Sequence, residues 1–148
     1  MGQKQTLLFL DASVMVSASH SPSGGSSLII EVCQGGMFRA VLSSKVILEA
    51  RVNIAEKFGE TELLRFYQQL AGLEPEIVPP SSSERLAQCT TIVGEKDAHV
   101  LAAALDCGAD YLLTLDRRHL ITTVVLNAGL PLRVITPGEF LKKLLQMN

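Results

Sequence analysis

Leu7-Leu8-Phe9-Leu10-Asp11 is the stretch that decides the fold. Four apolar residues run without interruption and stop at an acid. A strand buried on one face alternates apolar and polar side chains, whereas an unbroken run predicts a strand covered on both faces, as in a parallel sheet. The pattern recurs at Tyr111-Leu112-Leu113-Thr114-Leu115-Asp116, again ending in an acid. Shorter runs predict further strands at Ala40-Val41-Leu42-Ser43, at Ile77-Val78 before Pro79-Pro80, and at Leu132-Arg133-Val134-Ile135.

Helical signals fill the intervals. Ser19 to Ser27 is rich in serine, glycine and proline and predicts a loop. After it Leu28, Ile29, Val32 and Cys33 recur at helical spacing until Gly35-Gly36. Ser44 is expected to cap a helix from about Lys45 towards Phe58, ended by Gly59. Thr61 to Ala71 places Leu63, Leu64, Tyr67 and Leu70 on one stripe. Ser83 opens a helix through about Cys89, and Glu95 to Cys107 predicts an alanine-rich helix stopped by Gly108. A short helix follows Asp116, and Pro137 begins the closing helix. Strands alternating with helices give α/β architecture, a parallel sheet with helices on both faces. No repeat or linker interrupts residues 1–148, which read as a single domain.

The 148 residues are 47% apolar and 19% charged, a composition that folds. With 13 basic against 15 acidic residues the formal net charge is −2. That argues against broad electrostatic binding of nucleic acid, but not against an enzyme that meets it through a few arginines and a bound metal. Cys33, Cys89 and Cys107 are scattered, with no CxxC pair, and read as reduced thiols. The apolar run from Leu7 is too short for a signal segment or a membrane span, which needs about 20 apolar residues. A soluble, cytoplasmic protein is expected.

Asp11 and Asp116 stand at or just beyond the carboxyl ends of predicted parallel strands, where sites form in open α/β sheets. Glu49 falls within the first two turns of the helix after the second strand, and Asp97 near the start of the alanine-rich helix. An acid at a helix start is ordinarily an N-cap or a first-turn partner of the helix dipole. Four acids brought to one edge of a sheet are different, because their mutual repulsion must be relieved by protonation or by a cation. Magnesium or manganese, held by carboxylates and water, suits such a set. His99, two residues past Asp97, would point away from it on a helix. His119, one turn after Asp116, is the better neighbour, yet neither is counted among the catalytic residues. His20 reads as solvated and Asp110 as structural.

Phe9-Leu10-Asp11-Ala12-Ser13 resembles the opening of PIN-domain nucleases, and Ser43-Ser44-Lys45-Val46-Ile47-Leu48-Glu49 resembles their second motif. Glu95-Lys96-Asp97-Ala98-His99 is similar to the third and Tyr111-Leu112-Leu113-Thr114-Leu115-Asp116 to the fourth. Thr136-Pro137-Gly138-Glu139-Phe140-Leu141 resembles the closing segment of the branch that contains toxin components of toxin–antitoxin systems. The resemblance implies a three-layer α/β/α fold with a central five-stranded parallel sheet. It further implies a metal-dependent endoribonuclease, an RNA substrate, an antitoxin partner and a homodimer or higher oligomer. Two positions depart from the pattern: Ala12-Ser13 stands where many relatives carry threonine and asparagine, and Leu115 where many carry glycine.

The catalytic set expected on this basis is Asp11, Glu49, Asp97 and Asp116, with Asp11, Asp97 and Asp116 on the metal. Ser13 and Thr114 would orient the carboxylates, and Lys96, Arg117 and Arg118 would meet the substrate. Three rivals are set beside this reading. One is a catalytically weak or inactive PIN-like module that binds metal and regulates. Another is a phospho-acceptor receiver, which wants an acidic pair before the first helix and a lysine after a late strand. The last is a dinucleotide-binding fold, for which GxGxxG after the first strand is missing.

Overall fold

The computed structural model describes residues 5–146. Five strands, β1 (Leu7–Leu10), β2 (Arg39–Ser43), β3 (Glu76–Val78), β4 (Tyr111–Leu113) and β5 (Arg133–Ile135), form one parallel sheet in the order β3-β2-β1-β4-β5. The central strands are buried on both faces. Leu8, Phe9 and Leu10 are wholly enclosed, as are Leu112 and Leu113 on the neighbouring strand.

Among the described residues eight helices flank the sheet: α1 (Ala12–His20), α2 (Gly25–Gln34), α3 (Ser44–Lys57), α4 (Glu60–Leu73), α5 (Ser83–Val93), α6 (Ala98–Asp106), α7 (Thr123–Leu126) and α8 (Pro137–Gln146). Helix contacts fall into two groups, α1 to α4 with α8, and α5 to α7. Right-handed crossovers require this division. From β1 to β3 the chain moves one way across the sheet, then jumps back past β1 to β4 and continues the other way. The reversal lies between β1 and β4. It is the switch point at which the helices on either side diverge and leave a crevice beyond the strand ends.

Several expectations are corrected. The supposed loop Ser19–Ser27 shrinks to Ser21–Gly24, because serines spend their hydroxyls on helix carbonyls. Ser19 Oγ donates to the Val16 carbonyl, and Ser27 Oγ to those of Ala18 and Ser21. Arg65 and Gln69 of α4 donate to the Ser19 and Ala18 carbonyls, so this corner is pinned. The cap of α3 is Ser43, whose hydroxyl accepts from the Val46 N–H, one residue earlier than expected. Ser83 opens α5 as expected, with Ser82 as its cap, but the helix runs past Cys89 to Val93 and stops at Gly94, where a φ of +87° favours glycine. Glu95 to Asp97 is therefore a turn, and the alanine-rich helix begins only at Ala98. On α4 Phe66 and Leu73 are buried, and Leu63 and Leu70 of the predicted stripe pack against the core, while Leu64 and Tyr67 are 58% and 44% exposed. Burying Phe66 contributes about 1.5–3 kcal/mol. Phe140 of α8 packs edge-on against Tyr111 and Phe38.

Asp110 holds the entry of the sheet, accepting the Leu7 N–H at 2.9 Å on Oδ2, a structural role as expected. His20 is not merely solvated: its ring stacks on Phe58 with centroids 4.3 Å apart. All three cysteines are free thiols. Burial pushes Cys33 from the ordinary 9.0 up to about 12. Since the thiolate is the nucleophile, Cys33 in the native protein is expected to resist iodoacetamide at pH 8 and to react only on unfolding. Between pH 9 and 12 the unfolded chain releases this proton and the folded chain keeps it, so the contribution to stability is lost as pH rises through that window. Mass-resolved alkylation checks this, and rapid native labelling of Cys33 at pH 8 would contradict it.

Among the described residues no helix is long and apolar enough to cross a membrane.

Candidate cation site at the sheet's switch point

Asp11 ends β1 and caps α1. Its Oδ1 accepts the Ala12 N–H at 2.8 Å, and its Oδ2 accepts from Thr114 Oγ1 at 2.8 Å and from Ser13 Oγ at 3.1 Å. Burial raises the Asp11 pKa above its ordinary value; these donated bonds oppose the rise and the nearby Glu49 charge adds to it. A carboxyl so placed gains from a positive neighbour.

Thr114, fully buried just past β4, joins two acids through one hydroxyl. It donates to Asp11 and accepts the Asp116 N–H at 3.0 Å. Ser13 Oγ accepts the Leu115 N–H at 3.0 Å, which ties the start of α1 to the end of β4. Asp116 then turns the chain. Its Oδ1 accepts the N–H groups of Arg118 and His119, and its Oδ2 lies 3.2 Å from His119 Nδ1. Burial pushes its pKa up, but the bonds from His119 and Arg118 outweigh that and hold it below the usual value. Residues 117–120 form a turn, so the helix expected directly after Asp116 starts only at Thr123.

Asp97 differs from Asp11. It occupies the N-cap position of α6, yet its side chain makes no capping bond. The carboxylate is thus free for another task. Ligand atoms of Asp97, Asp116 and His119 lie within 4.8 Å of one another, a group able to hold a metal ion among the described residues. Two hard carboxylates and an imidazole suit a divalent ion that tolerates a nitrogen donor, manganese more readily than magnesium. Asp11 is not in this compact group and reaches it through Thr114.

Glu49, in the second turn of α3, faces His99 of α6, with Oε1 2.7 Å from Nε2. Burial lowers the His99 pKa, and the Glu49 charge opposes that fall. A neutral ring in this contact carries its proton on Nε2 and donates it to Glu49.

The structure therefore brings all four predicted acids to the carboxyl ends of β1, β2 and β4, in two linked groups, and adds His99 and His119, which the sequence reading had set aside. The only signal for His119 in the sequence was its one-turn spacing from Asp116. Of the expected substrate cations, Lys96 is exposed in the turn before Asp97 and Arg118 is exposed. Arg117, also exposed, stands 3.7 Å from Glu139. Leu115 is exposed at the lip of the site.

The rivals fare differently. A receiver fold carries the order 2-1-3-4-5, which is not the order found here. The sheet order is compatible with dinucleotide binding, but the Asp11 carboxylate occupies the helix start where a pyrophosphate would sit.

Fold and site together define an α/β protein with a cluster of carboxylates able to hold a cation at the switch point of a five-stranded parallel sheet. Residues 8–118 match the family model described as PIN domain. The chain belongs to the PIN-domain family. Similar solved structures include VapBC2 from Rickettsia felis bound to a DNA fragment from their promoter, 16% identical, with 88% of this chain and 97% of that chain covered and a TM-score of 0.64. FitAcB from Neisseria gonorrhoeae is 15% identical, with coverages of 88% and 98% and a TM-score of 0.61. VapC20 from Mycobacterium tuberculosis, a sarcin-ricin loop cleaving toxin, is 11% identical, with coverages of 83% and 95% and a TM-score of 0.57. At such identities the likeness establishes the three-layer fold. Comparison with curated proteins gave no match.

Proposed function

We propose that this single-domain chain is a divalent-metal-dependent endoribonuclease that hydrolyses phosphodiester bonds in RNA, and that it serves as the toxin of a toxin–antitoxin pair. The observation that carries the reading is the uncapped Asp97 carboxylate facing Asp116 and His119 within ligand distance of one another. Asp97 and Asp116 would hold the ion, with Asp11 close behind. When bound, Mg2+ or Mn2+ supplies a more acidic water and positive charge beside the phosphate.

The residues of the chain do the rest. His119 fixes the rotamer of Asp116, and Thr114 with Ser13 fixes that of Asp11. Glu49, paired with Nε2 of His99, would orient the attacking water and take its proton. Lys96 and Arg118 are free to meet phosphates, and Arg117 can exchange Glu139 for one, since an exposed pair is worth little. Exposed Leu48 and Val52 on α3, and Leu64 and Tyr67 on α4, are apolar surface suited to an antitoxin or a second copy.

The test is cleavage of short single-stranded RNA by the purified protein. Added Mn2+ is expected to give cutting that excess EDTA abolishes. No cutting with Mn2+, or undiminished cutting in EDTA, would reject the activity or its metal requirement respectively.

A further inference from the structure

A cavity of about 490 Å3 lies between the start of α3, the Pro79–Ser81 turn after β3, and helices α5 and α6. Most of its lining is apolar, including Pro80, Leu86 and Ala87, and exposed Lys45 stands among its polar members. His99 belongs to both this cavity and the acid site, because it lines the one and bonds Glu49 in the other. Two lining residues carry buried polar atoms with no hydrogen-bond partner among the described residues, Ser81 Oγ and His99 Nδ1. Buried polar atoms are nearly always paired in folded proteins, so an unpaired couple in one cavity wall is a sign of a missing partner.

We propose that this cavity receives one nucleobase of the RNA strand, that of a nucleotide next to the bond being cut; the inference rests on the ribonuclease reading above. The volume falls in the range of small-ligand pockets and is too small for a folded partner. A flat ring stacks on proline and leucine surfaces without regard to sequence, while its edge needs hydrogen bonds. The Ser81 hydroxyl can donate or accept, and His99 offers its unpartnered ring nitrogen Nδ1 to the edge of the base. Lys45 is placed to meet a phosphate of the same nucleotide. Glu95, a further lining residue, offers an acceptor to an exocyclic amine, so uracil is the base least suited. The overall charge of −2 fits a protein that grips RNA by such a pocket and not by a basic face.

The experiment has two arms. Nitrogen-15-labelled protein without metal is titrated with AMP, CMP, GMP and UMP, and amide shifts are followed by NMR. Shifts are expected to centre on Ser81, Ala87, Thr90 and His99, to be smallest with UMP, and to vanish in Ala87→Trp. Ala87 is exposed on α5, so the variant fills the cavity from outside the core; Thr90→Trp, one turn on, is a second filler. In the second arm RNA carrying a single abasic position is cut with Mn2+. Loss of the pocketed base should slow wild-type cleavage about tenfold, and leave the Trp variants indifferent to it. Absent shifts at these amides, or shifts that survive both fillers, overturn the proposal. Nucleotide binding here by a protein that cuts no RNA upholds the base pocket and removes the ribonuclease reading instead.

Discussion

Asp97→Asn is expected to lower Mn2+-dependent RNA cleavage by at least about a hundredfold while leaving the fold intact, on the scale of losing a ligand that stabilises developing charge by several kcal/mol. The carboxamide has the same shape and can still accept a hydrogen bond, but it carries no negative charge. Because the Asp97 side chain does not cap α6, the change removes no bond on which the helix depends. Stability without metal should therefore shift by no more than about 0.5 kcal/mol. A second readout separates ligand loss from a merely misplaced substrate. Mn2+ at about a hundred times its dissociation constant stabilises a binding protein by about 2.7 kcal/mol, a rise in melting temperature that the wild type should show and the variant should lose. Wild-type cleavage by Asp97→Asn would remove this residue from the site.

Thr114→Val should hurt both stability and activity. Its hydroxyl serves Asp11 and the Asp116 N–H at once, in a position with no exposure to water. Valine fills the space and supplies neither bond. An unpaired, half-buried N–H and a less well-held carboxylate should cost about 1–3 kcal/mol. Loosening two acids together should reduce cleavage about 10–100-fold. Thr114→Ser keeps the hydroxyl and is expected to recover most of both. Denaturant unfolding and a cleavage rate for the pair decide the matter: if valine behaves like serine, the shared hydroxyl does not organise the site.

What could be read in the sequence, and what could not, divides along one physical line. Unbroken apolar runs ending in acids announced buried parallel strands and the positions of Asp11 and Asp116, because burial on both faces leaves a local mark. The motifs around Glu49 and Asp97 were equally local. The His99–Glu49 contact was not, since it joins α3 to α6 across fifty residues, and only the crossing of the chain past β1 brings them together. Counting along an imagined helix placed His99 away from Asp97 but said nothing of what it would meet. Serine-rich composition misled between Ser19 and Ser27, where hydroxyls that often favour loops instead bond the carbonyls of a helix end. The start of the alanine-rich helix is expected at Glu95 and found at Ala98, because nothing in Gly94-Glu95-Lys96 shows that α5 runs so long and ends in a glycine of positive φ.

The way the strands are fed from one side has a practical outcome. Asp110 clasps Leu7 where the chain enters the sheet, and Asp11 lies at the other end of the same strand, four residues on, a span of about 13 Å. A fluorophore attached at the exposed Gln5 therefore sits on the side remote from the carboxylates. Immobilising the protein by that end leaves the chemistry facing the solution.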